Sequence, residues 1–324
     1  MEHFRISIVI TVIGLVAAYF VGGLYAVYIT ALLAVLEISL SFDNAVVNAK
    51  VLGTMEPQWQ KRFITFGIPI AVFGMRFLFP IIIVAVASGL GIYETFQVAL
   101  NEPEKYHETL ESVGNLIYAF GGSFLLMVFL SFLFDEDREE QWIKIVENST
   151  LIAKAGEINS IEMMITTSIG LYLTYLTSDA GVAIAYFMGM LLYSMIASLD
   201  TLMSTDGVRS GIMGFLYLEI LDASFSFDGV IGAFALSSNI FIIMLGLGIG
   251  AMFVRSLTIY FVEKKTLTEY RYLEHGAHYA IAALSLVMLS KMFFHIPEAI
   301  VGTIGIAFIA LSAYHSIQEN KKGN

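Results

Sequence analysis

The chain has 324 residues, of which 57% are hydrophobic and only 14% charged, with a mean hydropathy of +0.78. A soluble domain normally carries about 25% charged residues, so this chain has too few to coat a water-facing surface. The absence of cysteine excludes disulfides, thiolate metal sites and cysteine nucleophiles, and the net charge of −11 gives no reason to expect a nucleic-acid partner.

Apolar runs between polar breaks predict spans over 5–25, 27–51, 63–89, 113–134, 161–178, 180–204, 210–236, 239–262, 276–293 and 297–317. Such runs suit the roughly 20 residues that a helix needs to cross a hydrocarbon core. Strand-type alternation is absent, so helices rather than a barrel satisfy the backbone in lipid. The first run lacks a small-residue cleavage signature and leads straight into the next, so it reads as a retained helix and not a signal peptide. The third contains Gly67, Pro69, Gly74 and Pro80 and is expected to be kinked or broken.

Two polar stretches, roughly 90–112 and 135–160, interrupt the series. The second sets Trp142, Ile143, Ile145 and Val146 among charges and reads equally as a surface amphipathic helix or a plain loop. His275 and His278 read as surface histidines at a helix end. With Arg76 and Arg255 set aside as lying within spans, thirteen lysines and arginines fall at span ends or in loops on one side of this layout, and only Lys105 and Lys291 on the other. That bias predicts that both termini are cytoplasmic. The expected fold is all-α, with about ten transmembrane helices.

An internal repeat runs through the chain. Residues 37–44 read EISLSFDN, and residues 222–229 read DASFSFDG; GIPIAVFGMR at 67–76 matches GLGIGAMFVR at 246–255. Weaker matches pair Tyr118-Ala119 with Tyr279-Ala280 and Met127 with Met288. Because the matches are collinear, residues 1–178 and 179–324 are expected to form two repeats of about five helices, with the loops near 90–112 and 135–160 in the first. Five is odd, so the second repeat enters the membrane from the opposite side: a 5+5 inverted-topology repeat, the plan of many secondary transporters.

The spans retain carboxylates. One at a helix centre costs about 2.5–3.5 kcal/mol even on the mildest insertion scale, yet Glu37, Asp43, Glu219, Asp222 and Asp228 all lie in apolar runs. Arg76 and Arg255 are expected to be structural ion-pair partners that neutralise two of them. A bound divalent cation and one proton would balance the rest; a protonated carboxyl network is the other solution. Glu37, Ser41, Asn44 and Asn48 recur at helical spacing and form one polar stripe, and Asp222 and Ser226 repeat its start, with Glu219 a turn earlier. Asp43 points off that stripe on a regular helix, so Asp43 and Asp228 either face the arginines or mark local unwinding at Asp-Asn and Asp-Gly. The oxygen-only donor set, in which Ser41, Asn48, Glu219 and Ser226 are additional ligands or proton sites, suits a hard or intermediate divalent ion.

At these residues the chain resembles the TerC family of integral membrane proteins, whose signature joins an acid to a Ser/Leu-Asp-Asn block like that at 37–44. The paired SFDN and SFDG blocks are closer still to a TerC-related bacterial family of otherwise unknown function. The resemblance covers roughly 30–90 and 210–262 and implies membership of the LysE-like transporter superfamily, a bacterial inner-membrane location and manganese efflux; the family name records a link to tellurium resistance. It carries metal-ligand roles onto Glu37, Asp43, Asn44, Asp222 and Asp228. The chain departs from the family by Gly229 where the first half has Asn44, and by its ten apparent spans. The expected function is therefore divalent-cation transport, manganese favoured as substrate, by alternating access and without a catalytic cofactor or enzymatic activity. A membrane metalation or assembly factor is the alternative, and an intramembrane aspartyl enzyme using Asp43 and Asp228 a weaker one, since its Gly-x-Gly-Asp context is missing. The lipid bilayer and the ion are the expected partners; no feature bears on oligomeric state.

Overall fold

The computed structural model describes residues 4–135, 138, 140–203, 211–234, 236–237 and 239–322, with the side chains of 225–228 among a few left out. Among the described residues every regular element is helical. The first are α1 (Arg5–Leu40), α2 (Phe42–Gly53), α3 (Pro57–Pro69), a π-helical stretch (Ile70–Leu78), α4 (Phe79–Ser88), α5 (Ile92–Asn101) and α6 (Pro103–Ser112). Then come α7 (Gly114–Leu133), the short α8 (Lys144–Glu147) and α9 (Thr150–Gly156), α10 (Ile161–Thr177) and α11 (Ala180–Met203). The remainder holds α12 (Gly211–Phe234), α13 (Ile240–Glu263), the short α14 (Thr266–Glu269), α15 (Leu273–Lys291) and α16 (Glu298–Lys322). Four helices are long and apolar enough to cross a bilayer: α1, α7, α13 and, within α11, Ala180–Leu199. They point to a membrane protein.

The chain divides into two compact units, residues 1–114 with 204–264, and residues 115–203 with 265–324. The cut does not follow the repeat boundary expected near 178. Each unit instead gathers segments from both halves.

In the first unit α13 is the central helix. Along α1, Ser7 Oγ donates to the Met252 carbonyl at 2.9 Å, Gly14 lies against Ile249 and Gly22 near Ile242, so α13 numbers fall as α1 numbers rise. Beyond Gly23 the order reverses: Thr30 and Leu33 meet Gly246, and Ala34 and Glu37 meet Gly250. The chain therefore turns back at Gly22–Gly23, and α1 is two antiparallel limbs. Gly23 has φ of +66°, a conformation that residues with a Cβ rarely adopt. The break expected between 25 and 27 falls here, a few residues early, because the glycine pair and not a polar residue makes the turn.

Gly246 and Gly250 stand one turn apart on α13 and let the second limb of α1 approach backbone to backbone, as small residues four apart do in membrane helix pairs. A Cβ at Gly250 would strike the Glu37 side chain. The expected kink in the third span takes a specific form: α3 ends at Pro69, the wider π turns carry Ile70–Leu78, and α4 resumes with Pro80 near its start. Proline withholds an N–H from the regular ladder, and π insertions are one way for a helix to absorb such a break.

The second unit is tied internally by hydroxyls. Ser123 Oγ donates to the Tyr186 carbonyl and Ser285 Oγ to that of Gly122, each at 2.7 Å, and the Tyr186 hydroxyl donates to Thr166 O at 2.8 Å. The 140–156 stretch is pinned by Glu147, whose buried carboxylate accepts from the backbone N–H of Trp142 at 2.9 Å and lies 3.4 Å from His275 Nε2. His275 and His278 are buried, correcting the surface reading, because this segment and Phe132 cover them: the Phe132 ring stacks on His278 at 3.9 Å. At the start of α15, burial holds the His275 imidazole below its ordinary pKa, against the opposing pull of Glu147. Trp142 Nε1 donates to His315 Nδ1 at 2.8 Å.

Close approach at α13 yields a test. Replacing Gly250 by valine should destabilise the folded protein by about 1–3 kcal/mol, the scale of overpacking, read as a lower melting temperature in detergent. Gly53→Ala, at a position with nothing within 4 Å of an added Cβ, should leave it unchanged. Equal melting of both variants would contradict the packing.

Candidate functional site

The site forms where the second limb of α1 hands over to α2. The helix breaks at Ser41, whose φ and ψ are −106° and 17° and whose N–H still donates to the Glu37 carbonyl at 3.0 Å. Phe42 restarts the helix at once. This single irregular residue resets the rotation of α2 relative to α1, so Asp43, Asn44 and Asn48 are all buried, at no more than 4% exposure. The unwinding considered at Asp-Asn thus lies two residues earlier, and α12 runs unbroken through Asp228-Gly229. The side chains of Ser226 and Asp228 lie outside those described.

Arg76, on the π-helical stretch, joins the repeat-matched acids. Its Nη2 donates to Glu37 Oε1 at 2.5 Å and its Nη1 to Asp222 Oδ2 at 2.7 Å. Glu37 Oε1 also accepts from Ser41 Oγ at 3.1 Å, and Asp222 Oδ1 from Asn44 Nδ2 at 2.8 Å. Five side chains from four segments therefore form one continuous network. Arg255 is held differently: Nη2 reaches Glu219 Oε1 at 3.2 Å, the guanidinium lies 4.0 Å above the Phe63 ring, and the bare Cα of Gly67 leaves it room. Asp43 Oδ1 accepts from the Asn44 backbone N–H at 3.0 Å and makes no ion pair among the described residues.

Of the two outcomes expected for Asp43, facing an arginine or marking local unwinding, the described geometry shows no arginine contact, since Arg76 meets Glu37 and Asp222; the Asp228 side chain lies outside those described. Asp43, six residues past Glu37 and so already off the Glu37 face, turns to the neighbouring backbone N–H of Asn44, while Glu37 meets the π stretch. Among the described residues no three His, Asp or Glu side chains gather as a preformed metal cluster. Glu37 and Asp222 turn to a guanidinium, so the expected ligand set of Glu37, Asp43, Asn44 and Asp222 does not converge on one point in this conformation.

Ligand-capable oxygens remain. Asn44 Oδ1, Asn48 Oδ1 and Glu219 Oε2 are buried without a hydrogen-bond partner among the described residues, as is Arg255 Nη1. Asn48 and Asp222 line one small cavity with Arg255, Phe63 and Thr258. Buried unpaired polar atoms are rare and call for a missing partner, water or ion. The sequence reading missed Phe63 and Thr258; neither carries a charge or stands in a repeated block. Gly67 does stand in one, and that match was the available signal for the clearance around Arg255.

Comparison with curated proteins and with solved structures gives no match. The family model described as "Protein of unknown function (DUF475)" matches residues 42–323, most of the chain, including Asn44, Arg76 and Asp222 of the network and beginning just after Glu37 and Ser41, and the chain belongs to that family.

Proposed function

We propose that this protein is a divalent-cation transporter of the bacterial inner membrane, related to the TerC family, with manganese as the favoured substrate. The observation that carries the reading is that Glu37 and Asp222, matched positions of the two repeat blocks, are buried against a single guanidinium. Structural glue alone needs one carboxylate per arginine. A doubled acid site flanked by asparagine oxygens that have no partner among the described residues is chemistry suited to a hard cation that supplies the balancing charge.

The ten-span, 5+5 inverted plan is part of the proposal. Helix direction supports it: α13 runs antiparallel to the first limb of α1 and parallel to the second. In an inverted five-span repeat, the eighth span points with the second and against the first; an even-numbered repeat would reverse both relations. The first unit also holds both acidic blocks and both arginine blocks, so the matched segments fold together. Transport would proceed by alternating access, driven by ion or proton gradients, with Glu37, Glu219 or Asp222 able to carry a proton when the metal leaves. No enzymatic step and no catalytic cofactor are proposed, and Asp43, Asn44, Asn48, Ser41, Ser226 and Asp228 are assigned to the ion path as ligands or their supports.

Reconstituted into liposomes, the protein should carry manganese to an internal dye. Substitutions around bound metals typically weaken binding about 10–100-fold, and Glu37→Gln or Asp222→Asn should reduce flux at least that much while the protein still folds. Wild-type vesicles no leakier to any divalent ion than empty ones, across a range of proton gradients, would return the protein to the metalation-factor reading. Reporter tags at either terminus should face the cytoplasm; a periplasmic signal would break the ten-span plan.

A further inference from the structure

The two repeat-matched arginines do unlike jobs. Arg255 sits on the regular helix α13, with one carboxylate partner, an aromatic face beneath it and a glycine opposite. Arg76 sits on π-helical backbone bounded by Pro69 and α4 and bridges two carboxylates with two different nitrogens. π segments inside α-helices recur at functional sites. A structural pin needs neither the second acid nor the irregular backbone. Buried oxygens that could bind a cation lie beside this bridge without a hydrogen-bond partner among the described residues: Asn44 Oδ1 in the network itself, and Asn48 Oδ1 on the cavity it shares with Asp222.

We propose that Arg76 is a tethered counter-ion: it occupies, between Glu37 and Asp222, the place that the transported ion takes, and returns there when the ion leaves. The inference rests on the transport reading above. A divalent metal holds its oxygens at about 2.0–2.6 Å, closer than two carboxylates can come with a guanidinium between them, so the bridge and the ion exclude one another. A guanidinium stays charged at any physiological pH. The bridge therefore leaves the emptied pair with one net negative charge in place of two, and the empty carrier crosses with less charge to bury. Ion binding, in turn, is weakened by the fraction of time Arg76 spends in the bridge.

Manganese binding and two modes of flux test this in reconstituted protein: net uptake into metal-free vesicles, and exchange against manganese inside. Arg76→Gln should bind manganese about tenfold or more tightly, since the competitor is gone. It should keep exchange, in which the carrier crosses loaded both ways, and lose net uptake, in which it must return empty. Arg255→Gln should not separate the two modes. If Arg76→Gln does not fold, Arg76→Lys decides: it keeps the charge, but its point-like ammonium lacks the planar fork, so net uptake should fall more than exchange. Weaker manganese binding, or equal loss of both modes in a folded Arg76 variant, overturns the counter-ion role while leaving transport intact. Wild-type vesicles with no flux overturn both.

Discussion

A guanidinium between two carboxylates, all three sealed from water, is the constraint around which the first unit is arranged. Removing one partner from such a buried cluster costs about 3–5 kcal/mol, because the charge left behind has no compensation. The surrounding backbone makes sense as the means of bringing Glu37 and Asp222 to 2.5 and 2.7 Å from the Arg76 guanidinium. Gly22–Gly23 fold α1 back so that its second limb lies along α13, and Gly250 lets Glu37 pass close to that helix. The break at Ser41 then turns Asn44 toward Asp222. The π stretch between Pro69 and α4 carries the arginine itself.

Much of this was legible in the sequence, for identifiable reasons. Apolar run length locates the helices, since a hydrocarbon core fixes how long a run must be. The repeat of EISLSFDN and DASFSFDG singled out Glu37 and Asp222 before any geometry was known. Which acid meets which arginine was not legible. Glu37 and Asp43 are six residues apart, and the face each presents depends on one irregular residue between them, Ser41, which looks like any other serine in a polar stripe. Helical spacing also assumed one continuous helix where there are two. The turn at Gly22–Gly23 falls a few residues before its expected place for a related reason: in a run apolar on both sides, no polar residue marks the reversal. The assembly of units from interleaved segments of both halves is a long-range property that no local pattern encodes.

The two arginines show how a repeat can keep a residue and change its surroundings. Arg255 answers one carboxylate and an aromatic ring on a regular helix; Arg76 answers two carboxylates from irregular backbone. On the transport reading, one half of the repeat supplies rigidity and the other the exchangeable charge. Two guanidiniums of identical role would either lock the site shut or leave it short of charge on every empty return. The second unit has its own buried carboxylate, Glu147, but spends it on loop anchoring through backbone N–H groups. A buried acid is a functional candidate only when backbone and loop needs do not already use it.

The sharing of Arg76 by Glu37 and Asp222 can be measured without any transport assay. A double-mutant cycle on thermal unfolding would compare Arg76→Gln, Asp222→Asn and the pair. Residues coupled in one buried network show interaction energies of about 0.5–3 kcal/mol, and the double variant should be more stable than Arg76→Gln alone, because it removes the stranded carboxylate with its partner. Simple addition of the two losses would contradict the account, since it would mean that Arg76 and Asp222 do not hold each other.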